Sequence, residues 1–157
     1  MQRDLVHPDT RSSATAVCKP ADKAPWHLFL VGPAAVLWNF AGVFDFLATV
    51  TQFDPYMHLM PEDARDYWAS LPGFVYGIWA VAVFSALTGS VMLVRRQLLA
   101  LRVLALSATA TIFSMAATYS RPAPDVDLNR VVAVCIIVVA LLVLNYAFHQ
   151  AKRGVLR

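Results

Sequence analysis

Four long hydrophobic stretches constrain this chain more than any other feature of its sequence. Each approaches or exceeds the roughly 20 apolar residues that a helix needs to cross the core of a bilayer. A soluble chain of 157 residues could not bury four such stretches in one core, because most helices of a soluble domain keep a polar face. Charged residues are also scarce, at 15% of the chain against about 25% in soluble proteins. The four stretches cover residues 27–53, 73–94, 98–119 and 131–148.

The basic residues are divided unevenly among the segments that connect these stretches. Ten of the thirteen Lys and Arg residues lie in the N-terminal tail, around the turn between the second and third stretches, or in the C-terminal tail. Segments rich in Lys and Arg stay on the cytoplasmic side of a membrane. The sequence therefore predicts an all-α polytopic membrane protein with four transmembrane helices and both termini in the cytoplasm.

The longest loop separates the first two stretches and carries its own helix signal. Pro61 is followed by Glu62 and Asp63, and acidic residues just after a proline are typical of a helix start. We therefore expect a short helix at the membrane interface between the first and second transmembrane helices. The predicted parts of the chain are a disordered cytoplasmic tail (1–25), a four-helix transmembrane domain (26–150) and a basic cytoplasmic tail (151–157).

Asp45 is the most informative polar residue, because it lies inside the first stretch. At the helical rise it is about 12 Å from the outer end of that stretch. An Asp costs about 2.5–3.5 kcal/mol at the centre of a membrane helix, so it should face other helices and not lipid. Two interpretations stay open: a carboxyl group that binds a proton or a substrate, or a structural Asp that is hydrogen-bonded to a neighbouring helix. Further candidates for binding a solute or proton are Trp38, Thr49 and Gln52 on the same helical face, and Asn39 on an adjoining one.

Small and hydroxyl side chains follow one face of the second and of the third stretch. In lipid such residues mostly let helix backbones approach closely and form hydrogen bonds between helices. We therefore predict that Gly77, Ser85 and Gly89 are helix-packing residues. The third stretch has a row of Ser and Thr that includes Ser114, for which packing is favoured and a solute path is the alternative.

Motifs for most other chemistry are missing. The sequence has no HExxH, CxxC, GxGxxG or Walker A pattern, so metal hydrolysis, thiol redox chemistry and nucleotide binding lack support. His27 and His149 lie too close to the interface to hold a buried haem between them. We therefore predict no enzyme activity, no catalytic residue, no metal and no cofactor. The sequence pI of 9.1 reflects basic residues next to the membrane, whose partners are anionic lipids and not nucleic acid.

The segment 38–45, which reads Trp-Asn-Phe-Ala-Gly-Val-Phe-Asp, resembles the opening of a family of small bacterial four-helix membrane proteins. The similarity to this family covers about the first three transmembrane helices, including Pro55-Tyr56, Tyr67-Trp68 and Gly89-Ser90. Members are mostly uncharacterised and some are labelled sugar transporters. This chain carries Phe46 where a tyrosine is expected. The resemblance implies a location in the bacterial inner membrane.

Two hypotheses for function follow. The first is a non-enzymatic membrane protein that acts through membrane-protein partners or through self-association as a homo-oligomer. The second is a small oligomeric transporter of a small solute such as a sugar, with proton coupling through Asp45. In both cases the lipid bilayer is the immediate partner of the chain.

Overall fold

A computed structural model describes residues 25–120 and 126–157, which form helices joined by short turns and contain no strand. Residues 1–24 of the N-terminal tail, for which disorder is expected, lie outside the described residues, and so does the proline-rich loop 121–125. The helices are α1 (Leu28–Val50), α2 (Asp54–Met57), α3 (Glu62–Ala69), α4 (Gly73–Val94), α5 (Leu99–Tyr119) and α6 (Val126–Lys152).

Four of these helices are long and apolar enough to cross a membrane, namely α1, α4, α5 and α6. They match the four hydrophobic stretches, which confirms the predicted all-α fold with four membrane helices. A helix satisfies its own backbone hydrogen bonds, which is why apolar segments of this length cross lipid in this form. Large apolar side chains such as Phe40, Phe113 and Leu142 point outward, as expected for surfaces that contact lipid.

The four long helices pack in chain order. α1 packs against α4, α4 against α5, and α5 against α6, whereas α1 and α6 do not pack along each other. α4 and α5 form an antiparallel hairpin, with a tight turn in which Arg96 adopts a left-handed backbone (φ 61°). Gly89 lies against Leu104, so the two backbones approach closely near this turn.

One end of the bundle carries the arginine turn, and we call it the arginine end. The start of α1 is tied there to α6, because the His27 Nδ1 atom and the Tyr146 hydroxyl lie 2.7 Å apart. The segment predicted as a basic tail is packed at the same end. The Arg157 amide donates to the Arg96 carbonyl (2.7 Å), and Val155 and Leu156 are buried in an apolar cluster with residues of α4, α5 and α6. The start of α1, the α4–α5 turn and the C-terminal segment therefore meet at one end.

The opposite end is covered by α2 and α3, and we call it the loop end. α3 begins at Glu62 directly after Pro61, where the sequence predicted a helix start. The additional four-residue helix α2 was not predicted. The Tyr67 hydroxyl donates to the Thr118 carbonyl, and the Tyr76 hydroxyl donates to the Trp68 carbonyl. These bonds hold the loop on the membrane helices, close to the residues described next.

Candidate functional site: a cavity between the membrane helices

A cavity of about 270 Å³ lies between the four membrane helices. Such a volume is close to the lower limit for small-molecule pockets, roughly 300 Å³. α1, α4 and α5 contribute polar and aromatic side chains, and α6 contributes only apolar ones. α1 and α6, which do not pack along each other, both contribute residues to the wall of the cavity. Its polar and aromatic lining residues are Trp38, Asn39, Asp45, Trp79, Ser107, Thr111 and Ser114.

Asp45 is the single acidic residue among those that line the cavity. α1 ends at Val50, so Asp45 is about 7.5 Å from the end of the helix at 1.5 Å per residue. This is shallower than the 12 Å that the hydrophobic stretch suggested, because the last residues of that stretch are not helical. Within the described residues, no Lys, Arg or His forms an ion pair with Asp45.

The partner of Asp45 is Tyr56 of the loop end. The Tyr56 hydroxyl donates a hydrogen bond to the Asp45 Oδ1 atom, and its ring meets Phe44 edge-on at 6.1 Å between centroids. Burial and the bond to the carboxylate both raise the pKa of Tyr56. The phenol therefore stays protonated at physiological pH and remains a donor. Because the bond engages one carboxylate oxygen, the second oxygen is left for another partner.

Asn39 joins α1 to α4 from the cavity wall. Its Nδ2 atom donates to the Ala35 carbonyl and to the Ser90 Oγ atom, both at 2.8 Å. Ser90 is fully buried, so this bond between helices lies in the interior of the bundle. The amide hydrogens of Asn39 are thus used for packing, and only its carbonyl oxygen is left for a solute.

The row of hydroxyl groups on α5 divides into two kinds. Ser107 donates to the Ala82 carbonyl of α4 at 2.9 Å, which is the packing role that the sequence favoured. Thr111 and Ser114 also line the cavity, and in the described part of the chain their hydroxyls form no hydrogen bond. These two groups can therefore bind a polar atom in the cavity.

Aromatic rings and an apolar wall complete the lining. Trp79 lies stacked against Trp68 (5.3 Å between centroids) and meets Phe46 edge-on (5.1 Å), so its ring is held in place. Trp38 lines the cavity from α1. The described residues of α6 that line the cavity are all apolar; they are Val132, Ile136, Val139, Ala140 and Val143.

Other residues singled out from the sequence lie elsewhere. Thr49 is buried and its hydroxyl has no partner in the described ranges, but it does not line the cavity. Gln52 lies past the end of α1 with a left-handed backbone (φ 52°), so the helical face does not continue to it. Among the predicted packing residues, Gly77 is exposed and Ser85 bonds to carbonyls of its own helix. Gly89 is buried against Leu104.

The sequence reasoning missed Tyr56, Trp79 and the α6 wall as parts of the site. A weak signal existed for Tyr56, since it follows the first hydrophobic stretch within a few residues and lies in the loop that carries the family resemblance. Trp79 lies in the first turns of its hydrophobic stretch, and nothing in the neighbouring sequence separates an interfacial ring from one that lines a cavity. The α6 face is apolar like the rest of its helix, so it carries no pattern to detect.

No family model, curated protein or solved structure matches this chain. The resemblance of its first three membrane helices to a bacterial family therefore stays a prediction. In the ranges that the structure describes, no cluster of three or more His, Cys, Asp or Glu side chains could hold a metal ion.

Proposed function

We propose that this membrane protein binds a small solute in the cavity between its helices and acts as a small transporter. The observation that carries the proposal is the convergence on one cavity, at membrane depth, of a half-buried carboxyl group and two hydroxyls that form no hydrogen bond with the described residues. Polar groups in this position are costly unless they are paired. A solute that pairs with Asp45, Thr111 and Ser114 would remove that cost, which is a reason for these groups to be there.

The way the groups are held also supports binding. Tyr56 fixes the Asp45 carboxylate, and Asn39 and Ser107 hold α1, α4 and α5 in register through bonds between helices. A cavity whose walls are fixed in this way needs little reordering when a ligand enters, which favours affinity.

The proposal includes a location in the bacterial inner membrane with the arginine end in the cytoplasm. It is supported by the position of the exposed residues Arg95, Lys152 and Arg153, which lie at that end, because Lys and Arg next to membrane helices stay cytoplasmic. The loop end, with α2 and α3, would then face the periplasm. The absence of enzyme activity stays a prediction from the sequence.

The hypothesis of a protein that acts through membrane partners stays a prediction. The exposed apolar faces of the helices are equally suited to lipid, so they do not favour a protein partner. Self-association is compatible with the transporter proposal, because four helices rarely enclose a continuous aqueous path.

The proposal can be tested by filling the cavity. Ala140 lines the cavity on α6, whereas Ala116 is exposed on α5, so Ala140→Phe and Ala116→Phe are a matched pair. A small organic cation, a neutral aromatic alcohol and a sugar are each added to the purified chain in nanodiscs, and thermal unfolding is followed. A bound ligand stabilises the folded state by about 2.7 kcal/mol at one hundred times its Kd.

We expect at least one solute to raise the Tm of the wild type and of Ala116→Phe. The same solute should leave the Tm of Ala140→Phe unchanged. An equal rise in both variants would mean that the solute acts through the lipid or another surface. The absence of any rise in the wild type with all three classes of solute would count against the proposed function.

A further inference from the structure

We propose that the cavity selects a small organic cation that carries an apolar body, with the Asp45 carboxylate as its counter-ion. This inference rests on the proposed function and names the class of solute. It depends on three observations: the negative charge of Asp45, the two Trp rings that line the cavity, and the apolar wall that α6 forms, in contrast to the polar groups of α1 and α5.

The described residues give the cavity a negative charge and no positive one. Asp45 is the one charged side chain that lines the cavity, and among the described residues it has no basic partner. Tyr56 gives it a hydrogen bond but no charge. A carboxylate in surroundings of low dielectric constant attracts a cation far more strongly than it would in water. A cationic ligand would supply the positive charge that the described residues do not bring to Asp45.

The aromatic rings fit the same ligand. Trp38 and Trp79 both line the cavity, and indole is the side chain whose face best attracts a cation. The ring of Trp79 is already held by its stack on Trp68. A quaternary or protonated nitrogen in the cavity would thus find the Asp45 carboxylate and two indole rings among the groups that line it.

The apolar α6 wall of the cavity favours a ligand with an apolar body over a polyol. The α6 side of the cavity, from Val132 to Val143, offers no hydrogen-bonding side chain. A sugar would leave hydroxyl groups unpaired against this wall, at a cost that its contacts with Thr111 and Ser114 could not offset. An alkyl or aryl group would bury apolar surface there. The cavity therefore matches an amphiphilic cation better than the sugar suggested by the family resemblance.

The test compares benzyltrimethylammonium with neopentylbenzene, its uncharged carbon isostere, and with glucose. The full chain is placed in nanodiscs of phosphatidylcholine, which has no net charge, and binding of the radiolabelled compounds is measured against empty nanodiscs. The variants are Asp45→Asn, which removes the charge, and Asp45→Glu, which keeps it. Asp63→Asn is the matched control, because Asp63 is exposed on α3 away from the cavity.

We expect the cation to bind about tenfold or more tightly than its isostere, a difference of about 1.4 kcal/mol. Asp45→Asn should remove that difference and leave binding of the isostere unchanged, which also shows that the variant is folded. Asp45→Glu and Asp63→Asn should keep the preference for the cation. If Asp45→Asn does not fold, binding of the cation and of its isostere to the wild type and to Asp45→Glu still shows whether the cavity prefers the cation.

Two other outcomes separate this inference from the function it rests on. If the isostere or glucose binds as tightly as the cation, the cavity binds solutes but the assignment to cations is wrong. If none of the three compounds binds above empty nanodiscs, the inference and the proposed function both fail.

Discussion

Two glycines of α4 allow a matched test of helix packing in this bundle. A Cβ atom added at Gly89 would lie 2.8 Å from the Cγ and Cδ2 atoms of Leu104 and 3.3 Å from its backbone nitrogen. At Gly77 an added Cβ has no atom within 4 Å. Leu104 is itself buried in the apolar cluster of the arginine end, so it has little room to move away.

The expected magnitude follows from this difference. Gly→Ala in a helix gains about 0.5–1 kcal/mol from backbone entropy at either position. Extra bulk in a packed interface costs about 1–3 kcal/mol, and this cost applies at Gly89 alone. The helix term cancels in the comparison, so Gly89→Ala should be less stable than Gly77→Ala by about 1–3 kcal/mol. Gly89→Leu, with more bulk, should be less stable still.

The assay is unfolding by sodium dodecyl sulfate in mixed micelles, followed by loss of helical circular dichroism. The free energy of unfolding is compared for the wild type and the two alanine variants. Equal stability of Gly77→Ala and Gly89→Ala would refute the close approach of α4 and α5, because it would show that the Gly89 face has room for a methyl group.

Three further predictions concern the bonds and the orientation of the bundle. Asn39→Ala should lower the free energy of unfolding by about 0.6–1.7 kcal/mol, the range for hydrogen bonds between membrane helices, and should be non-additive with Ser90→Ala in a double-mutant cycle because the two side chains share a bond. Tyr56→Phe should cost about 1–3 kcal/mol, because it leaves the carboxyl group of α1 without its donor. In a cysteine-free background, a cysteine at Asp63 should react with an impermeant thiol reagent in intact cells, and one at Lys152 should stay protected.

Each of these has an outcome that contradicts it. Additive effects of the Asn39 and Ser90 variants would show that their bond does not contribute to stability. For Tyr56→Phe the control is Tyr76→Phe, which removes a bond at the same end of the bundle but leaves Asp45 paired. Only Tyr56→Phe should also change solute affinity, and an equal effect of the two variants on that affinity would contradict the role of the bond to Asp45. Labelling at Lys152 together with protection at Asp63 would invert the proposed orientation.

The membrane helices could be predicted because their signal is local. Twenty apolar residues in a row have few alternatives to a membrane helix, and the start of α3 after Pro61 was visible for a similar reason. The short helix α2 could not be predicted, because four residues carry no periodicity. The packing of Val155 and Leu156 was also hidden, since two apolar residues after a basic segment look the same whether they are packed or free.

The candidate site was only partly visible in the sequence. Asp45, Asn39, Trp38 and Ser114 stood out because polar and aromatic groups are unusual within apolar stretches, and the structure brings all four to one cavity. The sequence could not show that Asn39 donates a hydrogen bond to Ser90, because that bond joins two helices. Nor could helical periodicity show that α1 ends before Gln52. Contacts between helices depend on how the helices pack, and a single sequence does not show which helix faces pack together.

Uptake into proteoliposomes shows whether Asp45 binds a solute during transport. Radiolabelled benzyltrimethylammonium is supplied outside liposomes that contain the wild type, Asp45→Asn or Asp63→Asn at equal folded protein, with an inside-negative potential. We expect saturable uptake by the wild type and by Asp63→Asn, and uptake by Asp45→Asn no greater than in empty liposomes. Uptake by Asp45→Asn at the wild-type rate would show that transport does not use this carboxylate.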